Sequence, residues 1–165
     1  MMQTRGQFLT TEFLFVTATF CLLLIIILTS FSDIQRVIDF ESMDKKSYNF
    51  AFNTSEILVN SKGVPTNWQD LDLTNVKVMG LAKTNNELDV NKLQKFLDYN
   101  LQYSAVKDKF GLGQYNLYIS FIDATNGNQL YEFGVFPSNS SAISTVIRYC
   151  VLNQNPLKII VKVWK

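Results

Sequence analysis

The sequence predicts an α+β protein. One long N-terminal helix, its first half transmembrane and its second half amphipathic, should carry a head built on an antiparallel β-sheet with one or two short helices. Three observations lead there. Residues 13–28 read FLFVTATFCLLLIIIL, without a charge, a glycine or a proline. Neither glycine nor proline occurs between Gln7 and Lys62, so no backbone breaker interrupts a helix over that stretch. From Tyr115 onward apolar residues alternate with polar ones, which is the period of a strand. Helices first and strands last define the α+β class, and 165 residues leave room for one compact domain plus an appendage.

The apolar run comes first. A helix crosses a hydrocarbon core of ~30 Å with about 20 residues at ~1.5 Å each, and residues 8–31 form a low-polarity stretch long enough to do so. Its threonines fit, because their hydroxyls bond back to helix carbonyls. Arg5 and the α-amino group precede the run, while Asp33, Arg36, Asp39, Glu41 and Asp44 follow it. The positive-inside tendency then puts the N-terminus in the cytoplasm and the bulk of the chain outside.

Helical spacing continues past the apolar run, with Ile34, Val37, Ile38 and Phe40 set among Asp33, Gln35, Arg36, Asp39 and Glu41. Tyr48, Phe52 and Ile57-Leu58-Val59 extend it to about Asn60, where Gly63 suits a left-handed C-cap and Pro65 bars continuation. Residues 76–80 are short, apolar and β-branched, and predict a strand. Asp89 is a good N-cap for a helix carrying Val90, Leu93, Phe96, Leu97 and Leu101 on one face. A shorter helical turn is expected over residues 104–110, stopping at Gly111.

Tyr115, Leu117, Ile119 and Phe121 alternate with Asn116, Tyr118 and Ser120, as in a half-buried strand. Thr125-Asn126-Gly127-Asn128 contains the Asn-Gly hairpin signal, with Tyr131, Phe133 and Val135 on the return strand. A second strand pair is expected over residues 143–152 and 157–164, joined around Asn153-Gln154-Asn155-Pro156.

Ahead of the apolar run stand Arg5-Gly6-Gln7 and then Phe8-Leu9-Thr10-Thr11-Glu12. This resembles the class III signal peptide, the leader of archaeal type IV pilin-like precursors. The resemblance implies cleavage by a prepilin-type peptidase between Gly6 and Gln7, leaving the hydrophobic helix on the mature protein. It also implies an assembly role for Glu12, which would neutralise the amino terminus of a neighbouring subunit. Glu12 would be the sixth mature residue, where the family pattern has the glutamate fifth; Thr11 stands there. A carboxylate in the bilayer costs ~2.5–3.5 kcal/mol at full depth, and in the first turns of a helix it also complements the macrodipole. A long N-terminal helix underlying a globular head is likewise the architecture of that family, and residues 63–82 resemble segments of archaeal pilin-like proteins. The expected organisation is a leader at 1–6, a transmembrane helix at 7–31 and an extracytoplasmic domain at 32–165, the last beginning with the continuation of the helix to about residue 60.

Other chemistry is poorly supported. There is no histidine, hence neither the commonest general base nor the commonest metal ligand. The two cysteines, Cys21 and Cys150, are too far apart in sequence for a zinc motif, and a disulfide between a membrane helix and a folded head is implausible on geometry. The net charge of +1 argues against nucleic acid, and Lys158, Lys162 and Lys165 read as a solvated strand face. Asp70 with Asp72, and Asp39 with Glu41, read as surface charges. Gly111-Leu112-Gly113 lacks the third glycine of a dinucleotide fingerprint and precedes a strand rather than following one. Ser61-Lys62 as neighbours is no sign of a Ser-Lys pair. No catalytic residue, metal or cofactor is expected.

Two sequons, Asn53-Thr54-Ser55 and Asn139-Ser140-Ser141, are candidate N-glycosylation sites. Asn139, in a serine-rich loop, is the better one, since Asn53 is expected on a partly packed helix face. The 13 Phe, 7 Tyr and 2 Trp are expected mostly in the core. The function expected is that of a pilin-like, membrane-anchored subunit of an archaeal surface filament or secretion-type assembly, with the membrane and like subunits as partners. The alternatives are a monomeric anchored binding module and a secreted protein cut near Ser30.

Overall fold

The computed structural model describes the backbone of residues 4–138 and 142–165, and the side chains of residues 13–31, 45–138 and 142–165. The chain is α+β, with an N-terminal apolar helix and a mixed sheet. Helix α1 (Thr4–Asn60) runs 57 residues, uninterrupted as the lack of glycine and proline predicts. By internal contacts the chain divides into two units, Met1–Met43 and Asp44–Lys165.

In the second unit the end of α1 buries Ser47, Ala51, Thr54, Ser55, Leu58 and Val59, a stripe at helical spacing. Gly63 then turns the chain with φ +83°, and its N–H donates to Ser61 Oγ at 3.0 Å. A β-carbon there would lie 2.4 Å from Trp68 Cδ1, so glycine is required by space as well as by conformation. Trp68 is fully buried and its Nε1 donates to Gly80 O at 2.8 Å.

Residues 76–80 are not a strand. Val78 makes one isolated antiparallel bridge with Val64. The segment instead turns the side chains of Val76, Met79 and Leu81 into the core. The N–H groups of Leu81 and Ala82 donate to Leu58 O and Ser61 O, both at 3.0 Å, so this part of the backbone is satisfied by the end of α1 rather than by a ladder.

The described residues form six strands, β1 (Ala82–Thr84), β2 (Glu87–Leu88), β3 (Asn116–Asp123), β4 (Gln129–Gly134), β5 (Ile143–Leu152) and β6 (Asn155–Trp164), in the spatial order β1-β2-β5-β6-β3-β4. The expected antiparallel sheet is therefore mixed, because β2 pairs with the end of β5 in parallel, Glu87 opposite Val151 and Leu88 opposite Leu152. Such a pair needs a long crossover. It consists of α2 (Val90–Asp98), a 3₁₀ turn (Tyr99–Gln102), α3 (Tyr103–Lys109) and the β3–β4 hairpin.

Asp89 caps α2 as expected, its Oδ1 accepting from the N–H groups of Asn91 and Lys92 at 2.8 and 3.3 Å. Leu93 and Phe96 are buried, but Leu101 is 99% exposed and does not share their face. The 3₁₀ turn changes the winding after Asp98, and the inward positions go to Tyr99 and Tyr103 instead. Tyr99 Oη donates to Leu71 O at 3.0 Å, and Tyr103 Oη accepts from Leu117 N at 2.7 Å.

β3 is more deeply buried than its alternation predicts. Leu117, Ile119 and Phe121 enter the core, yet Tyr118 and Ser120 on the opposite face are buried too. Neighbouring strands flank β3 on both sides, and Phe136 stands edge-on to Tyr118 with ring centroids 5.2 Å apart. The β5–β6 hairpin is closed by Asn153 and Gln154 at φ +50° and +69°, the left-handed pair that a two-residue turn needs.

Candidate membrane and assembly site

Phe13–Phe31 has a mean hydropathy of 2.6, is long and apolar enough to cross a membrane, and has none of its length buried within the chain. Its large apolar side chains range from 40% exposed at Leu24 to 75% at Phe15, so the apolar surface goes all the way round. Such a helix is compatible with a membrane span or a signal sequence. Thr17, Thr19 and Thr29 donate to the carbonyls of Phe13, Phe15 and Ile25 at 2.8, 2.8 and 3.0 Å, which hides their hydroxyls. Phe15, Val16, Thr19, Phe20 and Leu23 surround a shallow apolar notch over Thr19.

Arg5, Gly6, Gln7 and Glu12 lie in the helical backbone of α1, but their side chains fall outside the described residues. Asn139 also falls outside them. Asn53 is exposed, not partly packed as its helix face suggested; the packed positions are Thr54 and Ser55. The Ser55 hydroxyl donates to Phe52 O at 2.7 Å and accepts from Arg148 Nε at 3.2 Å.

Other polar groups that the sequence singles out lie away from this stretch. Asp70 and Asp72 are exposed at the two 3₁₀ turns around Trp68–Asp70 and Leu73–Asn75. Lys162, half-buried, sets its Nζ 5.3 Å from the ring centroid of Phe136. Lys92 is buried and donates from Nζ to Lys62 O at 2.7 Å, just past the end of α1. Burial holds its ammonium below the ordinary value of 10.5, with Asp89 opposing the shift. The Cys150 thiol is buried and pushed up to about 12 by that burial, so it is unreactive in the folded head. Among the described residues, no group of three or more Cys, Asp or Glu is placed to hold a metal ion.

Residue patterns do not foretell two adjoining clefts at the β5–β6 turn, each of about 300 Å³, one between that turn and α2 and the other between it and the β3–β4 hairpin. Tyr131, Leu152 and Asn153 line both, with Gln94, Leu97 and Asp98 on the helix side of one. Tyr131 is open to solvent although it pairs in register with the buried Phe121, because β4 is an edge strand.

No protein-family model matches the chain, and no curated protein or solved structure does so either.

Proposed function

We propose that the chain is a pilin-like, membrane-anchored subunit of a surface filament or secretion-type assembly, held in the bilayer and associated with like subunits through the first half of α1. One observation carries this reading: a helix that is apolar on every side at Phe13–Phe31, uncovered there by the rest of the chain, ends at Asn60 with a stripe packed into the head. Summed over its Phe, Leu, Ile and Val side chains, insertion of that stretch is favourable by on the order of 5 kcal/mol. Packing against like helices satisfies the same surface, so both bilayer and bundle are open to it, and the small residues around Thr19 let a second helix approach. The leader residues Arg5, Gly6 and Gln7 would direct cleavage, and Glu12 would offset the new amino terminus of a neighbour. No part of this reading needs a catalytic site, a cofactor or a nucleic acid.

The clefts beside Tyr131 favour a second reading, an anchored module that captures a ligand without entering a filament. N-terminal sequencing and intact mass of protein from native membranes discriminate. A start at Gln7 supports the subunit, a start at Met1 or Met2 supports the unprocessed module, and a soluble product starting near Phe31 overturns both. A Glu12→Ala chain that is processed and assembles like the parent would remove the assembly role from Glu12.

A further inference from the structure

The sheet has two edges of different character beyond the short β1–β2 hairpin. β4 is protected. It is six residues long, has a register irregularity opposite its start, carries Glu132, and has its Gly134 N–H taken by Asn100 Oδ1 at 2.9 Å. These are devices that blunt an edge against pairing with other chains. β5 has none of them. It is ten residues long, regular against β6 throughout, and covered by β2 only at Val151 and Leu152.

The Val151 N–H points toward that side, donating to Asn86 O at 2.8 Å. Successive strand residues present their backbone groups to opposite sides, so Ile143, Thr145, Ile147 and Tyr149 point the same way as Val151. None of those four has a backbone partner there among the described residues. Their side chains are exposed as well, on the face of the sheet away from the core. The open edge is thus lined by uncharged, β-branched or aromatic residues. The single charge on β5, Arg148, is on the core side and already paired with Glu56.

We infer that the open edge of β5 is an interface between two copies of this chain, which pair β5 to β5 antiparallel about a two-fold axis and extend one sheet into the next. The strand is complementary to itself. Its free N–H and C=O groups recur every second residue, its outer stripe is uncharged, and Arg148 brings no uncompensated like charge across the axis. A single strand pairing sits at the low end of interface sizes, so copies held in one bilayer gain from their raised local concentration. The inference uses the membrane reading for that concentration only.

The test is cysteine scanning of the full chain in liposomes, in a Cys21→Ser background with the buried Cys150 retained. Ile143→Cys, Thr145→Cys, Ile147→Cys and Tyr149→Cys are oxidised singly, with Leu101→Cys as the exposed control. Antiparallel pairing brings cross-strand β-carbons to disulfide distance near the axis only, so one β5 position should cross-link roughly tenfold faster than the control, with rates falling to either side. Adding Thr145→Pro removes an N–H that the fold itself does not use, as proline on an edge strand does. It should slow that cross-link roughly tenfold without changing the melting curve. Rates on β5 no faster than at Leu101, in chains that float with the liposomes, would overturn the interface and leave the anchor standing. Chains that do not float at all would instead bring down the anchor.

Discussion

Arg148 on β5 reaches Glu56 on α1 as an ion pair, Nη2 to Oε1 at 2.5 Å. The same guanidinium donates from Nε to Ser55 and lies 4.7 Å from the ring centroid of Phe52. One side chain therefore joins the last turns of the long helix to the sheet. Arg148→Ala should lower the unfolding free energy by about 1–3 kcal/mol in urea titrations of the full chain in micelles. Both partners are partly exposed, so a double-mutant cycle with Glu56→Gln should return a coupling of only about 0.5–1 kcal/mol.

Gly80 approaches the end of α1 so closely that a β-carbon would lie 2.0 Å from Ser61 O. Backbone cannot yield as a flexible side chain would, and Gly80→Ala should cost about 3 kcal/mol. Gly127, at φ +76° with open space around it, is the comparison; Gly127→Ala should cost about 1 kcal/mol from conformation alone. Thermal melts of the two variants check the ranking.

Lys92 predicts a pH dependence. Its folded pKa lies below the unfolded value of 10.5, so between the two the unfolded chain binds more protons and stability rises with pH. Below the folded pKa the contribution is flat, and above 10.5 the cost of burying charge has gone. Burial raises Tyr103 and Tyr118 above their ordinary 10.0, which takes stability away as pH climbs past that value. The parent must therefore be compared with Lys92→Met, and the difference in unfolding free energy should move in the parent's favour as pH approaches 10.5.

Cys150, held at about 12 and buried, exposes a thiolate fraction of roughly one in ten thousand at pH 8. In a Cys21→Ser chain, iodoacetamide should leave it unmodified for as long as the head is folded and modify it once urea unfolds the protein. Mass spectrometry across a denaturant series reads this directly.

Ile25, in the middle of the exposed apolar stretch, is the place to challenge the membrane. Ile25→Lys adds about 2.5–3.5 kcal/mol to insertion at the helix centre. The alkali-resistant membrane fraction should fall sharply, while Thr19→Ser should leave it unchanged.

Much of this architecture could be read from residue patterns. The lack of breakers from Gln7 to Lys62 foretold α1, Gly63 its end, Asp89 the start of α2, period-two alternation β3 and the Asn-Gly signal its hairpin with β4, while the expected second strand pair is β5 and β6. What escaped prediction depends on distant partners. The segment at 76–80 has strand composition, but Trp68 and the end of α1 claim its side chains and backbone. β1 and β2 are too short to leave a period, and their parallel pairing with β5 made the sheet mixed. Leu101 fits the spacing of α2 until the 3₁₀ turn takes it off the register. The leader residues Arg5, Gly6 and Gln7, Glu12 and the sequon at Asn139 are read from sequence motifs alone. The clefts by Tyr131 and the open edge of β5 are products of topology, which composition does not encode.

The position of β6 bears on how the head comes into being. It lies between β5 and β3 in the sheet, and its Val161, Val163 and Trp164 are all buried, yet it follows the other five strands of the sheet in chain order. During vectorial synthesis β3 and β4 can form only a lone hairpin, which is marginal in water, while β5 has no neighbour on its β6 side. Cooperative closure must wait until Trp164 has emerged. A head crossing a bilayer behind an anchored first helix would thus remain threadable throughout its passage and acquire its folded form in one late step.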